Sequence, residues 1–114
     1  MRLKSGIFVS ALVRRAFAAG DFAAVERKGA DEAGAIFIRQ RFRDGLETLY
    51  APAPQSLFED DAAAWTRLFE MRLERAESEA VEAILAREKK FDPDLWILEI
   101  EATDISQLID VKAD

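Results

Sequence analysis

The chain has 114 residues, of which half are apolar and a third are charged, and its net charge is −6. This composition is typical of one soluble globular domain and excludes an intrinsically disordered chain. The absence of cysteine and histidine excludes disulfides, thiolate metal sites and histidine-based catalysis.

The first predicted element is a helix from Ser5 to Ala19. At about 100° per residue, apolar side chains gather on one side of this helix: Phe8, Val9, Leu12, Val13 and Ala16. Ser5 is the expected N-cap and Gly20 the expected stop. Ile7 and Phe17 fall at the margins of the stripe, so the helix is apolar over more than one narrow face. We therefore expect burial inside the domain or contact with another subunit.

The same segment bears on localisation. The apolar residues 6–13 are too few to span a membrane, and Arg14 and Arg15 follow where a signal peptide would continue. We therefore expect a cytoplasmic protein that does not associate with a membrane.

Three short strands are predicted next. Residues 22–28 form the first strand, and the alternation of residues 35–43 predicts the second. Asp44-Gly45 indicates a hairpin turn, after which residues 46–50 return as the third strand. Residues 51–54 contain two prolines and force an extended exit.

Residues 62–75 fit two structures. Three alanines and the spacing of Trp65, Leu68, Phe69 and Leu73 suit an amphipathic helix, which propensity weakly favours. The spacing of Trp65, Phe69, Met71 and Leu73 suits a twisted strand instead. Residues 76–90 follow as a clearer helix, which must end before Pro93. Residues 95–102 are β-branched and aromatic, then alternate with glutamate, which predicts a strand with one partly wet face.

Four segments carry a family resemblance: Arg2-Leu3-Lys4-Ser5-Gly6-Ile7 leading to Arg14-Arg15, Ala33-Gly34-Ala35-Ile36-Phe37-Ile38, Leu49-Tyr50-Ala51-Pro52-Ala53-Pro54-Gln55, and Phe91-Asp92-Pro93-Asp94-Leu95-Trp96 with Glu99. They resemble a small alphaproteobacterial family known only as domain of unknown function number 1491. The resemblance runs from Arg2 to about Glu101, and it implies a strand around Trp65. It implies no activity and no catalytic residue.

The predicted fold is a single α+β domain over residues 1–114, with the chain after about residue 103 able to fray. The expected order is α-β-β-β-β-α-β, with residues 62–71 as the fourth strand. An antiparallel sheet is expected to have both helices on one face.

One acidic cluster could form a catalytic site: Asp92, Asp94, Glu99 and Glu101. Glu99 and Glu101 lie two apart on a strand, so they share a face about 7 Å apart. With the aspartates they would hold a hard cation such as magnesium. The pattern is similar to that of magnesium-dependent nucleases of the restriction-enzyme type, which need a lysine where Glu101 stands. Helix termination and a solvated strand face explain the same residues, so we expect no metal.

A second candidate is a row of Arg39, Arg41 and Arg43 on one face of the second strand, with Phe37 before them. Such a row would follow a phosphate backbone, with Phe37 as a stacking surface for a base. The alternative is that the arginines pair with acids on a neighbouring strand.

Charge favours the pairing. Residues 1–57 hold nine Lys/Arg against six Asp/Glu, and residues 58–114 hold seven against sixteen, so the balances are +3 and −9. The two halves are expected to pack with complementary charge, with Glu99 and Glu101 on the face of Arg39 and Arg41. The acidic total argues against nonspecific nucleic-acid binding.

These residues predict a small cytosolic protein-interaction module without catalysis or cofactor, whose partner is another protein or a second copy in a homodimer. Two alternatives stay open. One is a magnesium-dependent nuclease-like or phosphoesterase enzyme that uses the C-terminal carboxylates. The other is a nucleic-acid-binding module that uses the arginine strand. The serines and Tyr50 lack a histidine to activate them, which leans against an enzyme.

Overall fold

The structure is a computed structural model that describes residues 3–54 and 67–113 of the chain. Within these residues the elements are two helices and six strands: α1 (Ser5–Ala18), β1 (Phe22–Arg27), β2 (Ile36–Arg41), β3 (Glu47–Pro52), β4 (Leu68–Ala76), α2 (Ser78–Phe91), β5 (Trp96–Glu101) and β6 (Asp110–Val111). The predicted order is confirmed as far as β5. Strand β6 is an element that the sequence analysis did not include.

Helix α1 packs its predicted stripe against the sheet, where Phe8, Val9, Leu12 and Ala16 are buried. The chain leaves the helix at Gly20, whose φ of +86° is accessible to glycine without strain. The N–H of Gly20 donates to the carbonyl of Phe17, and the N–H of Asp21 donates to that of Ala16. This is a Schellman motif, and it confirms the predicted stop. Neither helix of the described residues is long and apolar enough to cross a membrane.

The prediction that Ser5 caps α1 is wrong. Ser5 is the first helical residue, and its buried Oγ donates to the carbonyl oxygen of Gly34 at 2.6 Å. The unsatisfied N–H groups of the first turn find partners in the loop before β2 instead. Ser5 N–H donates to the backbone carbonyl of Glu32 at 3.3 Å, and Gly6 N–H donates to the backbone carbonyl of Asp31 at 3.0 Å. Carbonyl groups of a distant loop therefore cap the N-terminus of α1, where a local side chain usually provides the cap.

The six strands form one sheet in the order β1-β5-β2-β3-β4-β6. Strands β2 and β3 form the predicted antiparallel hairpin, and β3–β4 and β1–β5 are also antiparallel. Strand β5 runs parallel to β2, and β6 runs parallel to β4. The prediction of a purely antiparallel sheet is therefore wrong. Helix α2 carries the chain back across the sheet, and β5 enters between β1 and β2 in the direction of β2.

The two helices cover opposite faces of the sheet, which corrects the prediction of one covered face. The α1 face holds the larger core, which includes Phe8, Leu12, Ile36, Ile38, Leu98 and Ile100. The α2 face holds a smaller core, which includes Phe37, Leu49, Val81, Leu85 and Ile97. Strands β2 and β5 contribute to both cores, because their successive side chains point to opposite faces.

Residues 68–76 form β4, so the strand interpretation is confirmed for this part of the ambiguous segment. Residues 62–66, including Trp65, lie outside the described residues. Phe69 is buried in the α1-face core and its ring centroid lies 6.1 Å from that of Phe8. Helix α2 begins at Ser78, two residues later than predicted.

After β5 the chain crosses the α1 face of the sheet to reach β4. Ile105, Leu108 and Ile109 are buried in the α1-face core on the way. Beyond β6, the N–H of Lys112 donates to the carbonyl of Phe69 at 2.7 Å. The segment that the sequence analysis allowed to fray thus contributes three buried side chains.

Candidate functional site

The arginine strand and the acidic residues meet on the α2 face, around one buried guanidinium. Arg39 lies in β2 and is 2% exposed. Its Nε donates to Oε1 of Glu47 at 2.8 Å, while Nη1 donates to Glu26 at 3.0 Å and to Glu82 at 2.8 Å. These carboxylates come from β3, β1 and α2. A single side chain therefore connects three other elements through charge-assisted hydrogen bonds.

Both members of the most buried pair remain charged. Burial alone would lower the pKa of Arg39, but hydrogen bonds with Glu47 and Glu82 outweigh it, and the pKa is raised. Burial likewise would raise the pKa of Glu47, but the hydrogen bond and charge of Arg39 hold it below its usual value. An ion pair of this kind specifies how the elements fit together, and removing one partner leaves an uncompensated charge.

Arg41 extends the network towards the end of the sheet. Its Nε donates to Oε2 of Glu47 at 3.2 Å and its Nη1 donates to Oε1 of Glu99 at 2.8 Å. The hydrogen bond with Glu99 is the main reason why the pKa of Arg41 is raised. The parallel register sets Arg39 beside Glu99 and Arg41 beside Glu101. The prediction that these glutamates share a face with the two arginines is confirmed.

Arg43 does not belong to the row. Strand β2 ends at Arg41, and Arg43 lies exposed in the turn before Gly45. Phe37 is buried in the α2-face core, where α2 covers the surface on which a base would have stacked. The nucleic-acid alternative required an exposed and unpaired row, and Arg39 is neither.

The four predicted carboxylates are not brought together. Asp92 closes the turn after α2, where its Oδ1 accepts the N–H of Asp94 at 3.0 Å. Asp94 lies in this turn, whereas Glu99 lies five residues further along the chain, inside β5. Glu101 is exposed at the end of β5. Within residues 3–54 and 67–113, no group of three or more carboxylates is placed to hold a metal ion.

The groups with shifted pKa values are not tuned for acid–base catalysis near neutral pH. The pKa of Asp44 is lowered by a hydrogen bond from the N–H of Leu46, and that of Asp104 by hydrogen bonds from Ser106. Burial raises the pKa of Tyr50. Each of these shifts moves a group away from neutrality, whereas general acid–base catalysis requires a pKa near the working pH.

A different part of the molecule has the character of a binding surface. We call it the α1–β1 surface, defined by the exposed apolar side chains of α1 and of the edge strand β1: Ile7, Phe17, Phe22 and Val25, which are 44–53% exposed. Phe17 and Phe22 form an edge-to-face pair with centroids 5.7 Å apart. Ile7 and Val25 lie at the other end, where they line a groove.

This groove has a volume of about 990 Å³ and runs between α1 and the edge of the sheet. Its apolar lining includes Ile7, Val13, Val25 and Trp96. Among the described residues, the charged groups along it are Lys4, Arg14, Lys28 and Asp31, three cations and one acid. The groove is therefore apolar inside and basic around its margin.

Sequence reasoning identified one half of this surface and missed the other. Ile7 and Phe17 stood out as marginal to the apolar stripe of α1. Phe22 and Val25 gave no comparable signal, because nothing local indicates that β1 is an edge strand. That position follows from the non-local insertion of β5 beside β1.

Comparison with known proteins agrees with this fold. The family profile described as "Protein of unknown function (DUF1491)" matches residues 3–110. The chain is similar to protein Atu0922 from A. tumefaciens, whose solution structure gives a TM-score of 0.87 at 58% identity and covers 100% of this chain and 98% of that chain.

Two further solved structures are of a DUF1491 family protein from Caulobacter crescentus CB15. The crystal structure gives a TM-score of 0.78 at 30% identity and covers 99% of this chain and 100% of that chain. The NMR structure gives the same score and identity, with 99% of each chain covered. No curated protein matches the chain. The resemblance seen in the sequence is confirmed: the chain belongs to the DUF1491 family, whose function is unknown.

Proposed function

We propose that this protein is a non-catalytic, cytoplasmic protein-interaction module that docks through its α1–β1 surface. The observation that carries the proposal is the placement of exposed apolar side chains. Of the seven large apolar side chains exposed in the described residues, four lie on α1 and β1. Scattered apolar residues are normal on a protein surface, but a concentration beside an unpaired strand edge is typical of an interaction site.

The polar network supports the non-catalytic part of the proposal. The hydrogen bonds of Arg39, Arg41 and Glu47 are used within the fold, where they join β2 to β3 and, through Glu82, to α2. The carboxylates that would form a metal site are divided between the turn after α2, which holds Asp92 and Asp94, and strand β5, which holds Glu99 and Glu101. These contacts support structural roles for Arg39, Arg41 and Glu99, which first suggested chemistry.

Self-association is part of the same proposal. Phe17 and Phe22 form a compact aromatic patch at the end of α1 and the start of β1. A two-fold dimer places one patch against its own copy, which suits an uncharged aromatic pair. We therefore assign the homodimer contact to this pair rather than to the groove.

Light scattering at micromolar concentration tests the dimer. The wild type should have about twice the monomer mass of 12.8 kDa. Phe17→Ser combined with Phe22→Ser should give a monomer, because both apolar rings leave the contact. Phe91→Ser is the matched control: Phe91 is 81% exposed but lies at the end of α2, so the dimer should persist. A monomeric wild type would contradict the proposed dimer.

Affinity purification from the native host tests the module itself. A specific partner should be captured by the wild type and the Phe91→Ser control. Substitution of Ile7 and Val25 by serine should reduce its recovery. A reproducible absence of any protein partner would contradict the interaction module.

A further inference from the structure

The groove beside α1 has the geometry that accepts an added strand. Strand β1 is the first strand in the sheet order and pairs only with β5 in the described residues. Every second residue of such an edge strand points its N–H and C=O away from the sheet. Helix α1 lies alongside this edge, and Ile7 of the helix and Val25 of the strand both line the groove between them. An extended segment that pairs with β1 would therefore have α1 as a wall for its alternate side chains.

The charges along the groove determine which side chains a bound segment should carry. In the part of the chain that the structure describes, Lys4, Arg14 and Lys28 line the groove, and Asp31 is the single acid beside them. Lys4 forms a loose exposed pair with Glu32 at 3.6 Å, while Arg14 and Lys28 have no carboxylate within 4 Å in the described part of the chain. Two cations are thus available to an incoming carboxylate.

The one acid within β1 does not oppose this selection. Its carboxylate, that of Glu26, binds Arg39 on the α2 face through both oxygens, at 3.0 and 3.1 Å. The irregularity in β1 between Val25 and Arg27 falls at this residue, which fits a bulge that redirects a side chain. The negative charge of Glu26 is thereby neutralised away from the groove.

A second copy of this chain is a poor occupant of the groove. In a two-fold dimer that buried it, the basic margin would face the same basic margin, and like charges at a contact are repulsive. Acidic apolar segments avoid this cost. Their carboxylates would reach the margin while their apolar side chains enter the lining.

We propose that the groove binds an extended acidic segment of a partner protein, which adds to β1 as an antiparallel or parallel strand and alternates apolar with acidic side chains. The proposal rests on the proposed function, because it names the class of partner for one part of the α1–β1 surface. It is independent of the dimer, which we assign to Phe17 and Phe22.

The test uses a defined peptide and the full chain. The peptide has eight residues that alternate valine and glutamate, with blocked ends. One control peptide has lysine in place of glutamate. The other has the same composition as the test peptide, with the four valines first. Binding is followed by amide chemical shifts in NMR spectra of the labelled protein, which locate the site. We expect shifts in α1 and β1, a dissociation constant below about 1 mM, and at least tenfold weaker binding of both controls.

Variants of the groove should change binding in a defined way. Arg14→Glu combined with Lys28→Glu should weaken the peptide about tenfold or more, because attraction becomes repulsion. Val25→Asp should do the same by placing a charge in the lining. Lys90→Glu is the matched control, since this lysine lies in the last turn of α2, and it should bind as the wild type does. The spectrum of each variant reports whether it is folded.

Four outcomes would overturn the proposal. The first is an absence of shifts in α1 and β1 at millimolar peptide, and the second is equal binding of the lysine peptide. The third is a set of shifts in the groove with decanoate but not with peptide, which would assign the site to an anionic amphiphile. The fourth is concentration-dependent shifts of the same amides without ligand, which would assign it to a second copy. If the peptide fails but partner capture still depends on Ile7 and Val25, the partner class is wrong and the interaction module stands.

Discussion

Arg39→Met removes the guanidinium that neutralises Glu47 inside the protein. Methionine keeps much of the side-chain length and apolar volume, so the change acts mainly on charge. Glu47 is 1% exposed, and in the described residues it would keep Arg41 as an ion-pair partner and Ser78 as a hydrogen-bond partner. The side chains of Glu26 and Glu82 are 33% and 59% exposed, so water can replace their lost bonds.

The expected cost follows from this difference in burial. Breaking a buried ion pair by removing one partner costs about 3–5 kcal/mol, because the remaining charge loses its compensation. Arg41, whose side chain is 41% exposed, would compensate Glu47 only in part. The two half-exposed glutamates add about 0–1 kcal/mol each. A domain of this size is stable by about 5–15 kcal/mol. We therefore expect Arg39→Met to lower the free energy of unfolding by about 3–5 kcal/mol, most of which comes from Glu47.

Urea denaturation followed by circular dichroism measures this loss. The informative partner variant is Arg39→Met combined with Glu47→Leu, which removes both buried charges. It should recover at least about 2 kcal/mol of the loss, since an apolar replacement of a buried pair is close to neutral. Arg72→Met is the control. Its pair with Glu88 lies at the surface and should be worth no more than about 1 kcal/mol.

Two results would refute the reasoning. If Arg39→Met and Arg72→Met cost the same, the buried pair contributes no more than a surface pair. If the double variant is less stable than Arg39→Met, the charge left on Glu47 is not what destabilises the single variant.

Three further predictions follow from the same structure. Gly29→Ala should lower the free energy of unfolding by about 1–3 kcal/mol or more, because a Cβ would lie 2.2 Å from the carbonyl oxygen of Asp94. Thermal unfolding should show that Gly29→Ala loses more stability than Gly45→Ala, a position where only the φ of +90° is unfavourable. The pKa of Glu47 is lowered, so the stability that its charge contributes is present above the ordinary pKa of 4.5 and is lost as the pH falls through the lower pKa of the folded protein. The difference in unfolding free energy between the wild type and Glu47→Gln should therefore shrink below about pH 4.5. Isothermal titration with magnesium and manganese should give no stoichiometric binding, and a site lost in Glu99→Gln would contradict this.

The parts of the fold that could be predicted depend on local signals. The stripe of α1, the stop at Gly20 and the hairpin around Asp44-Gly45 each follow from a few neighbouring residues. Strand β4 needed the family resemblance to outweigh helix propensity. The shared face of the two arginines, Arg39 and Arg41, with Glu99 and Glu101 followed from parity and opposite sign, because both strands alternate with a period of two.

The parts that could not be predicted depend on which elements meet. The order of the sheet is set when β5 enters between β1 and β2, and no residue in β1 indicates it. One signal for the second covered face was present in the sequence. Residues 95–98 are four consecutive apolar residues, and Ile36-Phe37-Ile38 are three. Such runs are typical of strands buried on both faces, which requires a helix on each side of the sheet.

The placement of charge connects the fold to the proposed binding. Of the basic residues in the first half of the chain, Arg39 and Arg41 form ion pairs with acids that include Glu82 and Glu99 of the second half. Arg14 and Lys28 instead lie at the groove. The Debye length is about 8 Å at physiological salt, so a segment in the groove experiences these nearby cations more than the net charge of −6. The protein as a whole repels polyanions, while one groove on it attracts carboxylates. Selectivity for a short acidic segment over a nucleic acid is the physical consequence of that arrangement.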